Sequence, residues 1–262
     1  MGYLRKSSAV VSALVLMAAA TVSSAATVNF SMSSTVNDGA AGGPPASDFS
    51  SSSPKPGIGI DTGVEAIAGG SNATSTLDAD FESGTISFGS NVVAGGQSRR
   101  PSNGLFFSSN VGTTASWGVR ETFAVTGDGT VSFAALLEGM LQRSTLAVQG
   151  ERNSASNVGL RLSVTSKNRR GGNVGSSVDS FDTALNNETE LTFLNINDLL
   201  TSQVDVEDRG TVSLLLTGTF GASAFTQTGT AASGAADFFN TATLSFSTSD
   251  GVSLAASDPS FL

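Results

Sequence analysis

WGVRETFAVTGDGTVSFAALLEGML, residues 117–141, is the stretch from which the fold is read. Phe123 and Val125 alternate with polar neighbours, Gly127-Asp128-Gly129 reverses the chain, and Val131 and Phe133 alternate on the return. Period-two alternation on both sides of an Asp-Gly turn predicts two half-buried strands joined as a hairpin. Ala134–Leu141 is apolar apart from Glu138 and is interrupted by Gly139. That run suits either a short helix or a strand buried on both faces, and the glycine favours the strand.

The same pattern spreads in both directions. Upstream, Leu77, Ala79 and Phe81 alternate with Asp78, Asp80 and Glu82, and after Ser83-Gly84 the pattern resumes with Ile86 and Phe88. Downstream, Leu146 and Val148 are followed by Leu160, Leu162 and Val164, and later by Leu191 and Phe193. Asn195–Thr201 breaks the alternation enough to suggest a helical turn, with Asn197 as its N-cap. Val204 and Val206 lead through Asp208-Arg209-Gly210 to Val212, Leu214, Leu216, Gly218 and Phe220 on one face of a long strand. After a small-residue loop over 228–236, Leu244 and Phe246 should pair with Val252 and Leu254 through Ser249-Asp250-Gly251. About ten to twelve antiparallel strands with closely spaced turns imply an all-β single domain, a β-sandwich or jelly roll.

The N-terminus reads differently. Arg5 and Lys6, the apolar run Ala9–Ala20 and the small residues Ser23-Ser24-Ala25-Ala26 follow the order of a secretory signal peptide cleaved after Ala25 or Ala26. The apolar run is shorter than the roughly 20 residues that span a bilayer, so no membrane span is expected once it is removed. Val28, Phe30 and Met32 predict a short strand. The Ser-, Gly-, Ala- and Pro-rich stretch that follows, to residue 57, predicts a flexible linker. The expected organisation is therefore a leader over 1–26, a strand and linker over 27–57, and the β domain over 58–262. A short apolar strand on a tether can complete its own sheet or that of a neighbouring copy.

Composition narrows the chemistry. The chain has no cysteine and no histidine, which excludes disulfides, thiol redox exchange, Ser-His-Asp and Cys-His relays, and zinc sites built from those residues. The net charge is −9, and loss of Arg5 and Lys6 with the leader lowers it by two more. Such an acidic chain is not expected to bind nucleic acid. Arg99-Arg100 and Arg169-Arg170 read as solvated turn residues.

Carboxylates are the remaining chemistry. Asp78, Asp80 and Glu82 share one strand face at about 7 Å spacing. With acidic turns such as 205–208 they offer oxygen ligands of the kind calcium takes. The competing reading is a solvated, charged face that discourages aberrant strand pairing. A carboxylate-dependent glycoside hydrolase is a more distant alternative. It lacks aromatic platforms, since Trp117 is the single tryptophan and reads as core. Asn72-Ala73-Thr74 and Asn187-Glu188-Thr189 match the N-glycosylation pattern.

The C-terminal segment Asp237-Phe238-Phe239-Asn240-Thr241-Ala242-Thr243-Leu244-Ser245-Phe246 resembles bacterial exported PEP-CTERM-type proteins. So do Asp250-Gly251-Val252-Ser253-Leu254, Ser260-Phe261-Leu262 and the upstream unit over 121–133. The residues up to Leu262 do not include the sorting tail of those proteins. The resemblance implies a secreted protein made alongside exopolysaccharide, with matrix or biofilm roles, and supplies no catalytic residue. The expected function is thus a secreted, non-catalytic structural or adhesive protein of the matrix or cell surface, without a cofactor. Its expected partners are other copies of itself or extracellular polysaccharide. The alternative is a calcium- or carbohydrate-binding β-sandwich module.

Overall fold

A computed structural model describes residues 27–38, 46–55, 59–68, 71–80, 84–95, 108–145, 152–186, 192–227 and 232–257. The leader, Phe81, Glu82, Arg99-Arg100 and Asn187 lie outside the described residues. Thirteen strands account for nearly all of them: β1 Thr27–Asp38, β2 Ala46–Lys55, β3 Gly59–Ala68, β4 Ser71–Asp80, β5 Thr85–Ala94, β6 Ser108–Thr126, β7 Gly129–Thr145, β8 Arg152–Lys167, β9 Asn173–Leu185, β10 Phe193–Val206, β11 Thr211–Gln227, β12 Ala232–Thr248 and β13 Ser253–Ala256. No described helix is long and apolar enough to cross a membrane.

The strands form two antiparallel sheets. The front sheet has the order β2-β1-β6-β11-β8-β9, with β13 also on β6, and the back sheet the order β10-β7-β12-β5-β4-β3. The sheets face each other, so the protein is an all-β sandwich. Successive strands from β5 to β8 and from β9 to β13 alternate between sheets, the winding of a jelly roll. Alternation decides what is buried. Phe123 and Val125 from the front sheet and Val131 and Phe133 from the back sheet fill the interior, and Leu160, Leu162 and Val164 with the row Val212, Leu214, Leu216 and Phe220 add to it from the front sheet.

Three expectations are corrected here. The Gly127–Gly129 turn does not close a hairpin: β6 belongs to the front sheet and β7 to the back. The turn carries the chain across the sandwich, and Phe123 meets Phe133 through the core with ring centroids 5.5 Å apart. The Ser249–Gly251 turn crosses in the same way, since β13 pairs with β6 and not with β12. A hairpin and a sheet-to-sheet arch both reverse the chain and both need apolar alternation on each arm, so the local pattern fits either. The two turns and the third at Asp208–Gly210 interlock. Val125 N–H donates to Gly210 O at 3.1 Å, and Arg209 N–H donates to Val125 O at 3.0 Å. Gly127 N–H reaches Asp208 Oδ1 at 2.9 Å. Gly127 has φ 90, and a Cβ there would lie 2.1 Å from Gly251 O.

The second correction is Asn195–Thr201, which is strand and not a helical turn. It lies within β10, whose pairing with β7 runs unbroken from Phe193↔Gln142 to Val206↔Gly129. A continuous ladder outweighs the weak local preference for a cap. Residues 232–236 of the expected small-residue loop are likewise strand, the start of β12. The third correction concerns 27–57. β1 pairs along its whole length with β6, from Thr27↔Arg120 to Asp38↔Ser109, so it completes its own chain's sheet. Ala46–Lys55 of the expected linker is an edge strand on β1. Backbone pairing needs no apolar side chain, so composition alone did not reveal it.

Candidate functional site

The outer surface of the back sheet carries the candidate site, and β10 and β7 build it. Along β10, Leu200, Ser202, Val204 and Val206 point into the core, leaving Phe193, Asn195, Asn197, Leu199, Thr201 and Gln203 outside. Successive members stand about 7 Å apart. On β7 they face Gln142, Met140, Glu138, Leu136, Ala134 and Ser132 in order.

β12 breaks this regular surface. Asp237 pairs with Met140 but Ala242 pairs with Leu137, so β12 carries two residues more than β7 between the same rungs. The bulge leaves Glu138 and Asn197 without a β12 partner in their row. A depression of about 460 Å³ opens beside it, lined by Glu138, Met140, Asn195, Asn197 and Asp237 with the backbone near Gly139 and Ile196. Gly139 is required there for packing, because a Cβ would lie 2.2 Å from the Phe238 ring.

A second depression of about 420 Å³ lies further along the same strands, lined mainly by Ser132, Thr201, Gln203, Ser245 and Ser247, with Phe133 and Phe246 in its wall. The row Leu199–Leu136–Thr243 separates the two. Leu199 is 57% exposed and Phe193, at the other end of the first depression, 58%. The result is a strip on which hydrogen-bonding hollows alternate with exposed apolar side chains. Amides and hydroxyls both donate and accept, the requirement for a polyhydroxylated ligand.

The carboxylates named from sequence are elsewhere on this face. Asp78 and Asp80 are exposed on β4, while Leu77 and Ala79 between them are buried. Asp61 on β3 stands directly opposite Asp78. Among the described residues no three carboxylates are gathered as an ion would need. In the acidic stretch 205–208 the Asp208 carboxylate accepts from Gly127 N–H at 2.9 Å and pairs with Arg209 at 3.5 Å, while the Asp205 backbone carbonyl accepts from Ser166 Oγ at 2.6 Å. Arg169 and Arg170 are exposed in the β8–β9 turn. Trp117 is 3% exposed, its indole lying over Gly218, where a Cβ would come within 2.3 Å of the ring. It is core, not a stacking platform.

Sequence reading missed Glu138, Asn195, Asn197 and Asp237 as a group. A signal existed in residues 193–206, where outward Phe, Asn, Asn, Leu, Thr and Gln alternate with mostly apolar residues. Asp198 at an inward position masked it.

Both open sides of the sandwich are sealed alike. Asp179 on β9 accepts from Thr201 N–H of β10 at 2.8 Å, and Asp48 on β2 accepts from Glu65 N–H of β3 at 3.1 Å. Each aspartate occupies an outward donor of a back-sheet edge strand that would otherwise invite another strand.

No protein-family model and no characterised protein matches the sequence. Among solved structures, the chain is similar to a carbohydrate-binding module of the β-sandwich superfamily, at 11% identity and a TM-score of 0.19, with 84% of this chain and 85% of that one covered. It is also similar to the membrane-inserted form of the Clostridium perfringens NetB toxin, at 9% identity and a TM-score of 0.15, with 76% and 94% covered. Likenesses at this level carry no functional argument.

Proposed function

We propose that this is a secreted, non-catalytic adhesive or structural protein of the extracellular matrix or cell surface that holds polysaccharide on the outer face of its back sheet. The observation supporting this is the strip along β10 and β7, where a hollow lined by Asn195 and Asn197 lies between the exposed Phe193 and Leu199, and a second, lined by Thr201, Gln203, Ser132 and Ser245, lies beyond Leu199. An extended sugar chain offers alternating hydroxyls and apolar ring faces, which such a strip matches. Glu138 and Asp237 in the first hollow, and the net charge of −9, favour neutral or amine-bearing polymers over anionic ones. Glu138 and Asp237 are diagonal neighbours on an open face, where water is not excluded from either carboxylate, so binding is the better reading than glycoside cleavage.

Affinity electrophoresis and pull-down on a panel of neutral, amine-bearing and anionic polysaccharides test this. Retention by a neutral or amine-bearing polymer, reduced about tenfold or more in Asn195→Ala/Asn197→Ala, is the expected result; a tenfold loss corresponds to about 1.4 kcal/mol. No retention on any polymer, or retention indifferent to those substitutions, would remove the reading. Release of reducing ends from a retained polymer would instead establish catalysis.

A further inference from the structure

The four edge strands repeat one arrangement. On one side of the sandwich β2 lies beside β3, and on the other β9 lies beside β10, each gap crossed by an aspartate. Asp48 accepts from Phe49 N–H at 2.8 Å as well as from Glu65 N–H of β3. Asp179 accepts from Ser180 N–H at 2.9 Å as well as from Thr201 N–H of β10. Asp198 takes Leu199 N–H, two residues before Thr201 on the same edge, at 3.1 Å. Side chains therefore hold backbone donors on all four edge strands.

Those strands also carry most of the exposed apolar surface. Among the described residues six large apolar side chains stand exposed, and five of them lie on edge strands: Phe49 on β2, Ile67 on β3, Val178 on β9, and Phe193 and Leu199 on β10. An edge that must only stay in water is kept safe by charge. These edges offer apolar groups that a neighbouring strand would cover, and cross-strand pairs are what stabilise a sheet.

Topology fits the edges to one another. Every pairing in both sheets is antiparallel. Six strands lie across the back sheet and six across the front, with β13 sharing the β1 side of β6. In an even number of alternating strands, the first and last run in opposite directions. A second copy moved sideways without turning over therefore sets its β2 antiparallel to β9 and its β3 antiparallel to β10 at once. In that position Phe49 and Val178 share the outer face of the continued front sheet, and Ile67 shares that of the back sheet with Phe193 and Leu199.

We propose that the partner of these edges is a second copy of this chain: β9 and β10 of one copy pair with β2 and β3 of the next, and Asp48, Asp179 and Asp198 hold the edges until a neighbour's carbonyls displace them. The contact is head-to-tail, so it repeats into a filament and does not close as a dimer. A neighbour extends the outer face of β10 and does not cover it, so this inference is independent of polysaccharide binding.

Light scattering and negative-stain microscopy on purified variants test it. Asp48→Ala opens one side, and Asp179→Ala/Asp198→Ala opens the other. Either variant alone should stay monomeric, because its open side meets only the sealed side of another copy. An equimolar mixture should give a species of twice the monomer mass and nothing larger, and the triple variant should form filaments. Nonspecific aggregation does not produce that pattern. Adding Ile67→Lys, a charge at an exposed edge position, should return the triple variant to monomers. Three results would overturn the proposal: self-association of either one-sided variant, a mixture and triple variant that both stay monomeric with an unchanged β circular dichroism spectrum, or filaments that survive Ile67→Lys. If the alanine variants lose the β spectrum, asparagine at the same positions keeps the side-chain shape with one accepting oxygen in place of two, and the same pattern of masses is required of it.

Discussion

The two ends of the sandwich obey the same alternation yet are held together differently. From the middle to the end that carries the three crossing turns, the interior is aromatic. Phe88 stacks on Phe238 with centroids 4.9 Å apart, lies 4.9 Å from Phe220 and 5.8 Å from Trp117. Toward the other end the core is Val36, Ala66, Ala73, Val92, Ala94, Val111, Ala222, Ala224 and Ala232. Small side chains let the sheets approach until backbone meets backbone: a Cβ on Gly234 of β12 would lie 2.7 Å from Ala155 O of β8. Buried hydroxyls fill the remainder by bonding one another. Ser75 and Ser90 are 2.7 Å apart, Thr113 Oγ1–H donates to Ser90 Oγ at 2.9 Å, and Ser71 and Ser109 are 2.6 Å apart. One end gains stability from apolar area. The other depends on close approach and on polar groups that must all stay satisfied.

That contrast can be broken by experiment. The largest effect belongs to the aromatic end: Phe88→Ala should cost about 3–5 kcal/mol in urea unfolding. A loss under about 1 kcal/mol would mean the ring cluster is not what holds that half. Next, Gly234→Ala should destabilise by about 1–3 kcal/mol although alanine is small and apolar, since the sheets must part to admit a methyl group. A neutral result would deny the close approach. Smaller again, Ser90→Ala should cost about 1–2 kcal/mol, and adding Ser75→Ala should cost little more, because the second hydroxyl has already lost its partner. Additive losses would show that the two hydroxyls are not coupled. The smallest effect lies outside both cores. Asp61 and Asp78 are like charges directly opposite, so Asp78→Asn in chelator should stabilise by a few tenths of a kcal/mol. If millimolar calcium instead raises the wild-type Tm and Asp78→Asn abolishes that rise, the acidic face is an ion site.

Much of this architecture was legible residue by residue. Phe123, Val125, Val131 and Phe133 were correctly assigned to the core, and Asp78 and Asp80 to the surface, because burial follows the period of the strand. The strand of residues 134–141 was also readable, Gly139 marking the position where Phe238 needs room. The edge strand Ala46–Lys55 was not, since its pairing with β1 is made by backbone groups that every residue carries. The hollow around Asn195, Asn197, Glu138 and Asp237 was not either. It depends on a bulge in β12 between Asp237 and Ala242, and nothing local to residues 138 or 195 records what a strand so much later in the chain will do.

Sequence by itself determined that the chain is all-β, which faces of its strands are apolar, and that chemistry based on histidine or cysteine is absent. These follow from side-chain period and residue type, properties that each segment holds alone. Tertiary structure decided which strands are neighbours, that three glycine turns cross between sheets where two hairpins were expected, and that Asp48 and Asp179 each reach an edge strand of the opposite sheet. Those depend on register and on which sheet a strand joins, choices settled only when every buried face competes for a partner at once.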